Sequence, residues 1–316
     1  MKMKMVNKAA AHFGNPSFFT LFRSYSALGV TNSTHLVNLI QKRCNSGTLN
    51  LDEALGFFHS LIHTRPMPSV WAFNQLIGEL SKMNDYSTVI YMFREMMRSV
   101  DFCPDVWTMN IVIKCYCRLN NVDLGFSVLA VTLKRGLQPN AHSLTTLLHG
   151  ICRQSESMDD AVVFFKRIVG RGDPYNHLTY SVIISALCKT HNTLKAFEIL
   201  KEMQEIGNIK PSVECFNPII DSLCKERHVD KALELFQAMV NQDVQPNVVT
   251  YNCLFHGLCK CGRAEEAKKF LNDMLDRGIS PDVYTYTSLI DSLCKEEKTK
   301  EATSLFELMI RKEIIP

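Results

Sequence analysis

The chain has 316 residues, 46% of them hydrophobic, and 35 Lys and Arg against 32 Asp and Glu, a net charge of +3. No apolar run approaches the ~20 residues of a membrane-spanning helix, and so small a net charge names no partner by itself. The length alone would suggest about two globular domains, an expectation that internal repetition replaces.

Charge is unevenly placed along the chain. Residues 1–46 hold Lys2, Lys4, Lys8, Arg23, Lys42 and Arg43 and no acid, the first carboxylate being Asp52; that segment carries +6 and leaves −3 for the rest. An acid-free, basic, Ser- and Phe-rich amino terminus reads as an organelle transit peptide, assigned to residues 1–34. Arg23-Ser24-Tyr25-Ser26 resembles a mitochondrial processing site and predicts cleavage near Tyr25. Chloroplast import is the rival address, and a disordered tail the plainer alternative.

Residues 35–69 keep a good second helix, LDEALGFFHSLI, but Cys44-Asn45-Ser46-Gly47 stand where the first helix needs packing residues. They predict a degenerate leading unit or cap. From residue 70 one pattern recurs, clearest in VVTYNCLFHGLCKCGRAEEAKKFLNDMLDRGISPD at 248–282. Its copies run 70–105, 106–140, 141–176, 177–212, 213–247, 248–282 and 283–316. A fixed period near 35 residues means a stacked array in which each unit packs on its neighbours. The last copy stops at Pro316 without a polar capping helix, so the array is expected to be shortened.

Within the unit at 248, Tyr251, Leu254, Phe255 and Leu258 fall at helical steps of three and four, Gly262 marks a turn, and Ala267, Phe270, Leu271 and Met274 form a second stripe ended by Gly278 and Pro281. The unit is therefore a helical hairpin. Two apolar stripes can be buried only against each other and against the next hairpin.

Twelve cysteines invite a disulfide or zinc reading. Cys117, Cys152, Cys188, Cys224, Cys259 and Cys294, however, each stand twelfth in their unit, where a small apolar side chain suits helix packing. Cys115/Cys117 and Cys259/Cys261 lack a second ligand pair, and the histidines form no zinc-spaced set. Reduced thiols and no metal or other cofactor are expected. The acidic pairs Asp159/Asp160 and Glu265/Glu266 lie at the usual charged side of second helices, and no phosphate loop, nucleophile elbow or His-Glu-x-x-His occurs. The expectation is a protein that binds and does not catalyse.

At about 100° per residue, places two, five, nine and thirteen of the first helix lie within roughly 80° of each other, opposite the apolar stripe. Place thirteen is Lys82, Arg118, Arg153, Lys189, Lys225, Lys260 and Lys295: basic in every unit, although the array is acidic. Such a ladder suits a regular polyanion, with each cation near one phosphate. Place two is Trp71, Trp107, His142, Leu178, Glu214, Val249 and Tyr284. Apart from Glu214, these could sandwich bases; alternatively Trp71 and Trp107 pack between hairpins.

The pattern TYN-x-LI-x-G-LCK-x-G, then EA-x-x-x-F-x-x-M and G-x-x-P-D, resembles the pentatricopeptide repeat family over 70–316. The LCK-rich units resemble its P-class, in particular the plant restorer-of-fertility-like group. The resemblance implies an all-α fold, a right-handed superhelical α-solenoid of stacked hairpins, and binding of single-stranded organellar RNA at one base per unit in transcript processing, stabilisation or translation control. A protein-binding scaffold of helical repeats is the alternative; the Trp-x₂-Leu-Gly pattern of tetratricopeptide arrays is absent.

The family reads bases with the fifth and last residues of each unit. Here these are Asn74 with Asp105, Asn110 with Asn140, Thr145 with Asn176, Ser181 with Ser212, Asn217 with Asn247, and Asn252 with Asp282, while Thr287 has no partner. An ionised Asp only accepts hydrogen bonds and suits U or G, and an Asn amide also donates and suits C or A. Asn at place five goes with pyrimidines in the family and Ser or Thr with purines. The implied preference is 5′-UYARYUR-3′, with partner proteins for RNA processing and neither a membrane nor a small-molecule substrate.

Overall fold

The computed structural model describes residues 33–99, 101–154, 158–207 and 209–314. The expected cleavage point at Tyr25, and the transit segment up to residue 32, lie outside them. The described residues form sixteen α-helices and no strand. None of these helices is long and apolar enough to cross a membrane.

The described residues divide into two compact parts, those within 1–156 together with 166–175, and those within 157–165 together with 176–316. In the first, α1 (Ser33–Asn45) and α2 (Leu51–His63), α3 (Val70–Lys82) and α4 (Tyr86–Arg98), and α5 (Val106–Arg118) and α6 (Val122–Lys134) form hairpins, followed by α7 (Ala141–Gln154). Helix α8 (Asp159–Arg171) contains the division. In the second part the hairpins are α9 (His177–Lys189) with α10 (Thr193–Ile206), α11 (Val213–Lys225) with α12 (Val229–Asn241), α13 (Val248–Lys260) with α14 (Ala264–Asp276), and α15 (Val283–Lys295) with α16 (Thr299–Arg311). Within each part, successive first helices pack side by side.

Local chemistry sets the helix ends. Asp105, Asn176, Asn247 and Asp282 each accept the backbone N–H three residues on, at 2.7, 3.2, 3.1 and 2.9 Å, and so cap α5, α9, α13 and α15. The turn into the second helix needs a left-handed residue two past the first helix. Gly262 supplies it at φ 68°, whereas Asn84, Asn120, His191, Arg227 and Glu297 adopt φ of 54–63° without being glycine.

Tyr251, Leu254, Phe255 and Leu258 are fully buried, as are Ala267 and Met274 on the facing helix. Tyr251 meets Phe236 edge-on at 5.7 Å, and Phe236 meets Phe270 at 5.4 Å, linking neighbouring hairpins through aromatic edges. Alanine recurs where a second helix crosses the first: Ala196, Ala232, Ala267 and Ala302 are buried, because a larger side chain would push the helices apart.

The leading segment differs from its sequence reading. Residues 33–45 form a full thirteen-residue helix, α1, with Leu36, Ile40 and Cys44 buried. Counted from Ser33, Cys44 stands twelfth, the place that cysteine holds in later units. A unit begun at residue 35 puts it out of register.

Place twelve of one unit packs against place ten of the next. A Cβ added to Gly150 would lie 2.6 Å from Cys117 Sγ, and one on Gly257 2.5 Å from Cys224 Sγ, so these helices touch through thiol and bare backbone. Cys117, Cys188 and Cys224 are buried as expected, but Cys152 and Cys259 are half-buried and Cys294, on the last described first helix, is exposed. At Cys117 and Cys224 the covering surface is the following first helix, at Gly150 and Gly257, which the unit's own sequence does not record. All twelve cysteines are free thiols, and no cluster of metal-ligating side chains occurs among the described residues.

Candidate nucleic-acid interface

The residue that caps a first helix is also the last residue of the preceding unit, and it is bonded to that unit's fifth. Asn74 Nδ2 donates to both carboxylate oxygens of Asp105 at 3.0 and 3.1 Å. Asn110 Nδ2 donates to Asn140 Oδ1 at 3.3 Å, Asn217 Nδ2 to Asn247 Oδ1 at 3.2 Å, and Asn252 Nδ2 to Asp282 Oδ2 at 3.0 Å. Four of the six sequence-predicted pairs are thus in direct contact.

A third residue joins each of these pairs. Thr108 Oγ1 donates to Asn74 Oδ1 at 2.7 Å, Ser143 Oγ to Asn110 Oδ1 at 2.5 Å, Thr250 Oγ1 to Asn217 Oδ1 at 2.7 Å, and Thr285 Oγ1 to Asn252 Oδ1 at 2.7 Å. These hydroxyls stand third in the following unit and are buried. The sequence reading assigned them no role, although a Thr or Ser two residues before the recurring fifth place was visible in it.

The geometry also orients each amide. Asn140 and Asn247 accept a backbone N–H through Oδ1, an assignment that the amide nitrogen could not take, and only an N–H can face the carboxylates of Asp105 and Asp282. Asn110, Asn217 and Asn252 each therefore commit one N–H inward and keep a second, while Asn74 reaches both oxygens of Asp105. For the last residue the outcome depends on its type. Asp282 Oδ1 takes the Thr285 backbone N–H and lies 3.0 Å from its hydroxyl, while Oδ2 takes only Asn252 and keeps acceptor capacity. Asn247 has its oxygen committed to Thr250 and Asn217 and keeps its amide N–H₂.

Desolvation would raise the pKa of Asp105 and of Asp282, but hydrogen bonds outweigh it: from the backbone and hydroxyl of Thr108 and from Asn74 in one case, of Thr285 and from Asn252 in the other. Both carboxyls are held below their ordinary range. Each is an acceptor near neutral pH.

The remaining pairs differ. Ser181 donates to its own helix at Leu178 O, 3.1 Å, and Ser212 Oγ lies 3.9 Å from Cys215 Sγ and makes no side-chain cap. Thr145 and Asn176 belong to different parts of the chain; Thr145 is half-buried on α7, and Asn176 caps α9. Thr287 donates to Val283 O at 2.8 Å and is exposed.

Place two is open at every unit. Trp71, Trp107, Leu178, Val249 and Tyr284 are 39–55% exposed, and His142 and Glu214 are exposed as well. Trp107 also rests on the preceding first helix, where a Cβ on Gly78 would lie 2.9 Å from its Cη2. It packs on one side and is bare on the other.

All seven place-thirteen cations are exposed, but they are not equivalent. Lys82 pairs with Glu79, Lys225 with Asp221 and Lys295 with Asp291, each at 2.6 Å. Arg118, Arg153, Lys189 and Lys260 make no ion pair among the described residues. The (i, i+3) and (i, i+4) spacing of these acids was legible in the sequence but went unused. In the second part a cleft of about 430 Å³ brings Lys189, Asn217, Asp221, Lys225 and Val249 together, so one cleft holds the places two, five and thirteen singled out from sequence.

The acidic pairs have local tasks. Asp159 and Asp160 lie in the first turn of α8, and Glu265 and Glu266 in that of α14, where the helix dipole favours anions. Asp159 pairs with Lys195 at 3.1 Å, Glu265 with Lys298 at 2.7 Å and Glu266 with Arg263 at 2.6 Å.

Two models of known protein families match the chain: that of the PPR repeat family at residues 104–153, 211–260 and 246–295, and that of the PPR repeat at 71–99, 178–208 and 284–314. The pentatricopeptide repeat-containing protein At2g17670 of Arabidopsis thaliana is 26% identical over 61% of this chain and 42% of its own length. Protein Rf1, mitochondrial, of Oryza sativa subsp. indica is 28% identical over 40% of this chain and 16% of its own. The chain thus spans less than half the length of these relatives. Among solved structures, maize PPR10 superposes with a TM-score of 0.59 over 89% of this chain and 44% of its own, at 20% identity. PPR10 in complex with an 18-nt psaJ RNA element gives 0.60 over 99% and 43%, at 19% identity. With family models matching more than half of its residues, and with hairpins that fold as in these structures, the chain belongs to the pentatricopeptide repeat family.

Proposed function

We propose that this protein binds single-stranded RNA in an organelle, one base per unit, with the preference 5′-UYARYUR-3′ in the order of the units. The observation that carries this is the fifth-to-last pair itself. Where it is Asn with Asp, one amide N–H and one carboxylate oxygen are left over side by side, and uracil offers a carbonyl oxygen and an imino N–H to match. Where it is Asn with Asn, the free groups are N–H donors, which suit the ring nitrogen of cytosine. Exposed apolar side chains at place two provide stacking surfaces, and the place-thirteen cations suit the backbone phosphates.

The acid-free segment 1–34 and the mitochondrial names of relatives such as Rf1 favour the mitochondrion as the address, with the chloroplast as the alternative. A binder of this kind acts by shielding a transcript from nucleases, remodelling it or recruiting a processing partner. Stabilisation, processing, translation control and restoration of fertility are outcomes of that one activity.

The test is retention of labelled RNA on a filter. Heptamers of the proposed sequence should bind more tightly than polyadenylate, and a peptide library should not compete. Equal binding of both RNAs overturns the base-per-unit reading. Retention of peptides in place of RNA supports a protein scaffold.

A further inference from the structure

We propose that, in the four units that follow an asparagine at place five, the buried hydroxyl at the third place is a positioning residue for that base-reading asparagine, so that specificity at one letter depends on the next hairpin. The same geometry occurs four times: Thr108 with Asn74, Ser143 with Asn110, Thr250 with Asn217 and Thr285 with Asn252, at 2.5–2.7 Å. In each, the hydroxyl has one proton and two oxygens near it. The asparagine oxygen is the nearer, at 2.7 Å against 3.0 Å to Asp282 Oδ1 in the case of Thr285, and takes the proton. The hydroxyl oxygen in turn accepts the Asp282 backbone N–H at 3.3 Å.

An asparagine amide can otherwise present its oxygen or its nitrogen to a ligand, two faces of opposite hydrogen-bonding sense. Asp282 alone holds the amide by one N–H and leaves rotation about the side chain open. Thr285 fixes the other end, which leaves a donor, not an acceptor, at the free edge. The residue types agree with this dependence in one direction, from asparagine to hydroxyl; Thr179 is a third-place hydroxyl that follows Thr145. Where place five is Ser181, the third place of the next unit is Cys215, and Ser181 turns to its own backbone. Where place five of the leading hairpin is Val37, counted from Ser33, the next third place is Ala72. No asparagine at place five lacks its hydroxyl.

This role presupposes that Asn252 reads a base, so the test separates the two. With the full chain, heptamers differing only at the sixth letter are ranked for the parent, Asn252→Ala, Thr285→Val and Thr285→Ser. Expected is that Thr285→Val lowers the discrimination for U at the sixth letter about two- to tenfold, the worth of one hydrogen bond, while ranking at the fifth letter holds and Thr285→Ser restores the parent pattern. If Asn252→Ala changes the ranking and Thr285→Val does not, the positioning role is overturned and base reading stands. Uniform loss at all letters without rescue by Ser also overturns it, as the mark of a merely structural residue. Should Asn252→Ala leave the ranking unchanged, base reading at this place fails, and the side-chain amide of Asn252 decides the bracing by nuclear magnetic resonance. That amide should be rigid in the parent and in Thr285→Ser and mobile in Thr285→Val; equal mobility in all three overturns the proposal. If Thr285→Val loses its helical circular dichroism, Ser143→Ala takes its place, with Asn110 and the second letter as the readout.

Discussion

Asn252 and Asp282, 30 residues apart, are joined by a 3.0 Å hydrogen bond from amide to carboxylate, while the same carboxylate caps helix α15 through the backbone N–H of Thr285 at 2.9 Å. The group proposed to recognise a base is therefore also the group that starts the next helix. On that proposal recognition and folding share one residue, whose carboxylate is already fixed by the helix it caps.

Replacing Asn252 by Thr shortens the side chain beside Asp282 and removes the amide, while Asp282 keeps its free acceptor. The preference at the sixth letter should move from U towards G, with C and A still disfavoured. A base contact is worth about 1–3 kcal/mol, so the relative affinity should swing roughly tenfold in a competition between heptamers. Identical ranking of the four bases by both proteins would show that place five does not read.

Salt dependence should reveal which cations face phosphate. Seven full contacts at about 0.7 each on a single strand set a limiting slope of log affinity against log salt near −5, and the ion pairs of Lys82, Lys225 and Lys295 bring it towards the roughly −3 of the four unpaired cations. Lys260→Ala should flatten it by about 0.7 without altering base preference. Lys225 already shares its charge with Asp221 at 2.6 Å, so Asp221→Asn should raise affinity and steepen the slope. An unchanged slope in either variant places that residue off the RNA path.

The caps predict how pH acts. Asp105 and Asp282 have folded-state pKa values below their ordinary range, so the stability they add is fully present above the unfolded value of about 4 and is lost as pH falls through the lowered folded values. Base preference at the sixth letter should accordingly be constant between about pH 8 and 5. A change centred near pH 6 in competition binding would mean that another group titrates at the site. In thermal melts, the advantage of the parent over Asp282→Asn should vanish only in acid.

At Gly257 the absence of a side chain is a packing requirement. Gly257→Ala would bring a methyl within 2.5 Å of Cys224 Sγ and 3.3 Å of its Cα, and backbone cannot yield as a side chain can. A loss of about 1–3 kcal/mol is expected in urea unfolding, against the ~1 kcal/mol that Gly→Ala otherwise gains in a helix. Gly56 in α2 has nothing within 4 Å of such a Cβ, and Gly56→Ala should be neutral or stabilising. Equal effects of the two would refute the close approach of α11 and α13.

Thiol reactivity should follow burial. Desolvation pushes Cys117 up to about 11 and Cys188 and Cys224 up to about 12, which leaves almost no thiolate at pH 8. Cys103, Cys261 and Cys294 are exposed. Alkylation of the native protein followed by peptide mapping should label these three first, and early labelling of Cys224 would contradict the packing.

The sequence by itself determined the hairpin, its period and its two apolar stripes, because a side chain's burial within one hairpin follows from helical spacing: Tyr251, Leu254 and Phe255 are buried where the pattern put them. It also determined that Lys82, Arg118, Arg153, Lys189, Lys225, Lys260 and Lys295 share one exposed place, since periodicity fixes the face. What only the tertiary structure decided lies between hairpins. That Thr285 holds Asn252 across 33 residues, that Cys224 meets the bare backbone of Gly257, and that Asp282 divides its oxygens between a helix and an amide depend on how one first helix slides against the next. That register is set by the summed packing of whole helices, and no pattern within a single unit encodes it.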